Sequence, residues 1–216
     1  MTVVAIDGPA GTGKSSVAAC VADGLGYRAV NSGAFYRAVS YEALRRSAET
    51  EDAIVAIARD LDLRYGDGEL VLNGARIAQA DLHSPQVDEV VAAHSAIAAV
   101  RNAVNERIRS YCMERNVVVE GRDIATVVFP DAAVKVFLDA DPAERARRRS
   151  GQTGADHGTV ARSMEHRDTI DRTKPVGRLE RTPDAIYIDT THLTLKKVCA
   201  KVIAITHDIL SRGRSN

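Results

Sequence analysis

The chain contains no tryptophan, and aromatic residues make up only 4% of its 216 positions. Aromatic platforms of the kind that stack nucleic-acid bases are therefore scarce. Net charge is missing too: Lys plus Arg and Asp plus Glu are 29 each, for a formal charge of +0 at pH 7. A chain that coats nucleic acid is usually strongly basic, so no nucleic-acid partner is expected. No apolar run approaches the roughly 20 residues that span a bilayer, and the first residues lack the basic start of a signal peptide. No membrane partner is expected, and the location expected is cytoplasmic. Cysteine is sparse: Cys20, Cys112 and Cys199 are widely spaced, with no CxxC pair, and read as reduced, packed thiols. The six histidines are not spaced as metal ligands.

Hydrophobic residues are 45% of the chain and charged residues 27%, ordinary values for a globular protein. The length suits one domain carrying an insertion, and a monomer is expected. Val3 to Ile6 is a short apolar run, followed by glycines and then a helical stretch to about residue 24. Strand, glycine loop and helix in that order open an α/β fold. A second strand is expected at 27–30 and a helix at 34–46. Residues 49–94 break the alternation and read as an insertion with small strands around Gly66-Asp67-Gly68 and a turn at Asn73-Gly74. A helix at 98–114 precedes the apolar strand 117–120, and 133–138 is the next strand. Asp141, Pro142 and Glu144 form a helix start, with Asp141 as N-cap and Glu144 closing a capping box. Residues 150–157, rich in Gly, Ser and Thr, are expected to be mobile. A short helix to about 171, a strand at 185–188 and an amphipathic helix at 195–210 complete the chain.

Residues 8–15 read Gly-Pro-Ala-Gly-Thr-Gly-Lys-Ser, a complete G-x-x-x-x-G-K-[ST] phosphate loop between a strand and a helix. Gly8, Gly11 and Gly13 let the backbone, with Ala10 and Thr12, turn its N–H groups toward phosphate oxygens, and the helix start at Lys14, Ser15 and Ser16 adds its positive end. Lys14 is expected on the β- and γ-phosphates of ATP and the Ser15 hydroxyl on Mg²⁺. No N-K-x-D guanine reader is present, and no D-x-x-G switch follows an internal strand. Size and the missing switch favour a small-molecule kinase. Phosphoryl transfer needs positioning and positive charge on the equatorial oxygens, which suits arginine. Arg145, Arg148 and Arg149 share one helical face by their spacing, beside the glycine-rich stretch.

Three further segments narrow the reading: Asn31-Ser32-Gly33-Ala34-Phe35-Tyr36-Arg37, the run Gly121-Arg122-Asp123 continuing through residue 132, and residues 167–175 from Arg167 to Pro175. Together with residues 6–14 they resemble the bacterial cytidylate (CMP/dCMP) kinase family over nearly the whole chain. The resemblance implies a nucleoside monophosphate kinase-like parallel sheet flanked by helices, in a single domain over 1–216. Its core would be about 1–48, 95–149 and 172–216, with an acceptor-binding insertion at about 49–94 and a short lid at about 150–171. It implies ATP as donor, Mg²⁺, and CMP or dCMP as the small-molecule acceptor. Ser32 and Asp123 match family residues that contact cytosine, Arg101 matches an acceptor arginine, and Arg167 and Asp171 match residues around the acceptor's sugar and phosphate. Arg37 and Arg122 are placed near acceptor phosphate, and Lys14, Arg122, Arg148 and Arg167 are the residues expected to act on the transferred group.

The chain departs from the family pattern on the acceptor side. Asn31 replaces an aspartate, Leu82-His83 replaces Ile-Arg, Ala92 stands where a base-touching serine is expected, Ala125 replaces a glycine and Lys174 replaces an arginine. Two other functions stay open on these residues: a divergent kinase of a modified nucleotide or small hydroxylated metabolite, and a nucleotide-binding protein without catalysis.

Overall fold

Val3–Asp7 (β1) and Val117–Gly121 (β6) are buried at every residue and lie side by side, as unbroken apolar strands do at the centre of an α/β sheet. The computed structural model describes residues 1–66 and 69–213. It divides into two compact units, Met1–Val30 with Glu114–Asn216, and Asn31–Met113.

The first unit carries a five-stranded sheet in the order β2-β6-β1-β7-β8, where β2 is Arg28–Asn31, β7 Val134–Asp139 and β8 Ile186–Asp189. Strands β6 and β7 both run parallel to β1, and β8 runs parallel to β7. Helix α1, Lys14–Leu25, stops at Gly26, whose left-handed backbone (φ 67°) suits glycine. Val17 and Val21 of α1 share a core with Ile6, Val136, Leu138 and Ile188 of the sheet and with Val198 and Val202 of α9, Leu195–Arg212. The α/β reading therefore holds.

The thiol reading does not. Cys20 on α1 and Cys199 on α9 are joined in a disulfide, while Cys112 is buried and outside any disulfide. A separation of 179 residues hid the pairing, because only the packing of α1 against α9 brings the two together.

Helix α7, Pro142–Thr153, is capped by Asp141, which accepts from the amides of Ala143 and Glu144. The expected capping box is not made. Glu144 instead binds Arg147 and Arg148, and the Asp141 amide donates to the Thr191 hydroxyl. The glycine-rich stretch is helical too: α7 breaks at Gly154 (φ 70°), and α8, His157–Thr173, follows with Asp156 as its cap. A single left-handed glycine suffices for the break.

The second unit contains α2 (Ser32–Arg45), α3 (Glu51–Asp60), the antiparallel sheet β3-β4-β5 (Leu63–Gly66, Glu69–Leu72, Ala75–Arg76), α4 (Gln79–Leu82), α5 (Pro85–Ala96) and α6 (Ala98–Cys112). The turn at Asn73-Gly74 has positive φ at both residues, as a two-residue hairpin connection requires. The turn expected at Gly66-Asp67-Gly68 falls partly on residues 67 and 68, outside the described residues. The small strands expected on either side of residue 67 are present as β3 and β4, and helices α3 and α5, for which no element was expected, flank them in the chain; Thr50 caps α3, and Pro85 opens α5 at the position where a missing N–H is harmless. Among the described residues no helix is long and apolar enough to cross a membrane.

Candidate active site

The phosphate loop leaves β1 at Asp7. Gly8 has φ 152°, and a Cβ there would lie 2.0 Å from the Leu138 carbonyl oxygen, so β7 passes too close for any side chain. Gly11 and Gly13 also have positive φ, 76° and 90°, and Gly13 is the N-cap of α1. Such alternation turns successive N–H groups to one side and forms an anion cradle. Lys14 folds back over it, its Nζ donating to the Pro9 carbonyl at 2.7 Å. Thr12 is buried and its hydroxyl also donates to Pro9, while Ala10 is half-buried. Ser15 and Ser16 are exposed on the first turn of α1. The Ser15 hydroxyl donates to Glu120 Oε1 at 2.6 Å, which puts the last-but-one residue of β6 beside the expected metal ligand.

Lys14 is buried, and its ammonium is pushed down to about 7, first by burial and then by the neighbouring charges of Arg122 and Arg167. Glu120 and Asp171 pull the other way. Arg122 binds Asp171 through Nε at 2.7 Å, and Lys174 binds the other oxygen of the same carboxylate at 3.1 Å. Burial alone would raise the Asp171 pKa, but Arg122, Lys174 and Arg167 together hold it at about 2. The first unit therefore gathers Lys14, Arg122, Arg167, Asp171 and Lys174 into one electrostatic cluster, joining the expected donor lysine to three expected acceptor residues. Asp123 stands next to it, buried, its carbonyl accepting from the amides of Val127 and Val128. Those amides belong to a π-helical turn, Ile124–Val128, that had no signal in the sequence.

Two residues of this unit escaped the sequence reading. Asp7, buried at the end of β1, accepts from the consecutive amides of Ile124 and Ala125 at 2.9 and 2.8 Å. Its carboxyl is pushed up to about 6, mainly by burial and further by Asp123, against the pull of the two amides. Glu120 is the other. Both stand at the carboxyl ends of central strands, where an α/β sheet places its ligands, and that position was the available signal.

Arg148 is tied elsewhere. Its Nε binds Glu144, one terminal nitrogen donates to the Thr190 hydroxyl, and the other donates to the carbonyls of Thr190 and Thr191. Those bonds would have to open for Arg148 to reach a phosphate. The same Thr190 hydroxyl sits 3.2 Å from the Thr12 carbonyl, so this network supports the phosphate loop from behind. Beside it lies a cavity of about 680 Å³ lined by residues that include Asp141, Glu144, His157, Thr191 and His192.

In the second unit, Ser32 is buried at the first turn of α2, whose cap is Asn31, with the Asn31 side chain accepting from the Ala34 amide. Arg37 is buried, bound to Asp88 at 2.6 Å and to the Leu82 carbonyl at 2.8 Å. Arg101 is buried, donates to the Ser95 carbonyl at 3.0 Å and lies 5.2 Å over the Tyr36 ring. Arg37, Tyr36 and Arg101 therefore join α2 to α4, α5 and α6 within this unit.

A glycine phosphate loop with its lysine and serine, leaving the central strand of a parallel α/β sheet, defines a P-loop phosphotransferase. The cytidylate kinase family model matches residues 4–208. The cytidylate kinase of Solibacter usitatus is 39% identical over 98% of this chain and 95% of its own length. That of Carboxydothermus hydrogenoformans is 40% identical over 94% of this chain and 96% of its own. The chain belongs to the cytidylate kinase family. A gluconokinase from Sinorhizobium meliloti 1021 superposes with a TM-score of 0.51 at 16% identity, covering 98% of this chain and 94% of its own. An uncharacterized protein from Eubacterium ventriosum gives 0.53 at 14% identity, covering 96% of this chain and 99% of its own. At that identity both share the fold alone.

Proposed function

We propose that this chain transfers the γ-phosphoryl group of ATP to CMP or dCMP, yielding ADP and CDP or dCDP. The observation that carries the reading is the buried Lys14 ammonium crowded by Arg122 and Arg167, a surplus of positive charge whose natural complement is a polyphosphate. The P–O bond to the leaving ADP breaks as a phosphate oxygen of the acceptor bonds to the same phosphorus. Lys14 and the loop amides take the charge on the donor side. Arg122 and Arg167 take the charge on the equatorial and acceptor oxygens, and Asp171 holds Arg122 in place.

Ser15 and Glu120 offer hydroxyl and carboxylate oxygens, the donor set that Mg²⁺ prefers. With few protein ligands, the ion would keep water and phosphate oxygens in its shell, and it would offset charge between the β- and γ-phosphates. Ser32, Arg37, Arg101 and Asp123 would serve the acceptor, with residues 49–94 as the acceptor-binding insertion and 150–171 as the lid. Arg148 would assist from the lid side if its bonds to Thr190 and Thr191 open.

The test is turnover of CMP, dCMP and UMP with ATP, in a coupled assay of ADP release. Cytosine's exocyclic amine suits a carboxylate acceptor and uracil's carbonyl does not. CMP should therefore be preferred, and Asp123→Asn should reduce that preference by about 1–3 kcal/mol. ATP binding without turnover of any of the three would overturn the acceptor assignment.

A further inference from the structure

Ala10 sits at the crest of the phosphate loop, and a single ion pair holds it at both of its backbone groups. Arg145 of α7 donates from Nη1 to the Ala10 carbonyl at 3.0 Å, and the same nitrogen binds Asp168 of α8 at 2.5 Å. The other oxygen of Asp168 lies 3.4 Å from the Ala10 amide nitrogen. A second donor of Arg145, Nε, reaches the Ala140 carbonyl at 3.1 Å, where the chain leaves β7. Arg145 and Asp168 are each 7% exposed.

An independent observation marks the same spot. A Cβ on Gly11 would fall 2.8 Å from the Met164 methyl and 2.9 Å from the Arg145 carbonyl oxygen. Met164, Val160 and Ala146 form a small apolar cluster that takes in Ala10. Helices α7 and α8 thus rest directly on the loop, with apolar contacts on one side and the ion pair on the other.

We propose that Arg145 and Asp168 are positioning residues for the donor phosphates. They hold the peptide groups around Ala10 in the ligand-ready curve and couple the lid helix α8 to the phosphate loop. Neither needs to touch ATP. The bonds of Lys14, Thr12 and Thr190 fix the loop at Pro9 and Thr12 but leave the peptide groups of Ala10 to this ion pair, and fixing them in advance lowers the entropic cost of binding and aligning the triphosphate. Burial explains why a charge pair is used in both directions at once: the carboxylate accepts an amide proton while the guanidinium caps the carbonyl of the same residue, so neither backbone group is left unpaired.

This inference rests on ATP being the donor, so the experiment measures donor binding first. Magnesium–ATP affinity is determined by calorimetry for the wild type, Asp168→Ala, Asp168→Asn and Arg145→Lys, alongside KM for ATP, KM for CMP and melting temperature. Asp168→Ala should lose about tenfold to a hundredfold in kcat/KM for ATP, the scale set by a misplacement of about 1 Å, while KM for CMP changes by less than about threefold. Asp168→Asn keeps an acceptor for the Ala10 amide and should recover part of the loss. Arg145→Lys keeps the charge but cannot reach Ala10, Ala140 and Asp168 together, so it should behave like Asp168→Ala; it also carries the test if Asp168→Ala does not fold. A fall in melting temperature with unchanged ATP affinity, or equal shifts in the two KM values, overturns the proposal. A wild type that does not bind ATP overturns instead the reading of the donor on which it stands.

Discussion

Binding of ATP should draw a proton onto Lys14. The ammonium is buried and faces Arg122 and Arg167, which together hold it at about 7 in the ligand-free chain. At pH 8 only about one-tenth of the molecules carry the Lys14 proton, by the titration of a group at that value. A triphosphate laid against the amine supplies the missing counter-charge and returns it toward its ordinary value of about 10.4. Binding at pH 8 should therefore take up about 0.9 proton, and about 0.5 at pH 7. The γ-phosphate is already ionised at pH 8, so its own titration does not mask the effect. Above pH 7 the affinity should fall about tenfold per pH unit, which is about 1.4 kcal/mol. The assay is calorimetry of magnesium–ATP binding at pH 8 in two buffers of different ionisation enthalpy, whose difference gives the proton count. Lys14→Ala should show no Lys14-linked uptake, should abolish turnover, and should fold, because the unfavourably buried charge is gone. The sign extends to stability: a lysine whose folded value lies below its unfolded one favours folding as pH rises from about 7 to about 10. A wild-type enthalpy independent of buffer at pH 8 would refute the assignment of Lys14 as a displaced, phosphate-seeking cation.

Asp7→Asn replaces an acceptor of two amides by a group that accepts one and presents an N–H to the other, a loss of about 1–3 kcal/mol. It also relieves a buried charge whose rise from 3.8 to about 6 amounts to about 3 kcal/mol, so net stability at pH 7 should change little. In the wild type the folded form holds a proton that the unfolded form has lost between about pH 4 and 6, so Asp7 makes stability fall as pH rises through that window. Urea unfolding at pH 4.5 and 7 should show this term vanish in the variant. Reducing the Cys20–Cys199 bond opens a loop of 179 residues and should lower stability by about 2–5 kcal/mol, read as a drop in melting temperature that Cys199→Ala reproduces. Gly8→Ala would press its Cβ onto the Leu138 carbonyl oxygen at 2.0 Å and should cost more than about 3 kcal/mol, measured as the urea midpoint.

The phosphate loop's geometry was legible because its determinants are contiguous. Residues 8–15 specify a strand exit, three left-handed glycines and a helix start within one short window, and the structure repeats that order. The clamp on Ala10 was not legible, since Arg145 and Asp168 lie 23 residues apart on two helices and more than a hundred from the loop. Arginine spacing suggested a phosphate-facing cluster, yet spacing gives a helix face and says nothing of what that face meets; Arg145 meets the loop backbone and Arg148 meets Thr190. The helices α3 and α5 were obscured for another reason. The glycine turns and the strand signal of Leu70-Val71-Leu72 marked the segment as a break in the α/β alternation, and the stretches before and after those strands were left without an element.

The positions proposed to serve the acceptor carry the expected departures from the family's pattern, and the structure shows what several of them keep. Asn31 stands for an aspartate, yet its Oδ1 accepts from the Ala34 amide, as an N-cap of either kind can. Lys174 stands for an arginine, yet it is buried against Asp171 and shares that carboxylate with Arg122. A lysine gives one point contact where an arginine gives a planar fork, so Lys174 keeps the charge while releasing a second donor direction. Ala125 stands for a glycine; its methyl is buried, and its backbone amide binds Asp7, a bond any residue but proline supplies. Lys174 thus keeps the positive charge beside Arg122 and Asp171, Ala125 keeps its amide bond to Asp7, and Asn31 keeps the cap of α2 while giving up the charge an aspartate would carry. His83 is different, an exposed cap at the end of α4 that leaves a shorter and weaker base where an arginine was expected. Loss of specificity relative to the family should therefore originate in the second unit, around His83 and Ala92, rather than in the Lys14, Arg122 and Asp171 cluster.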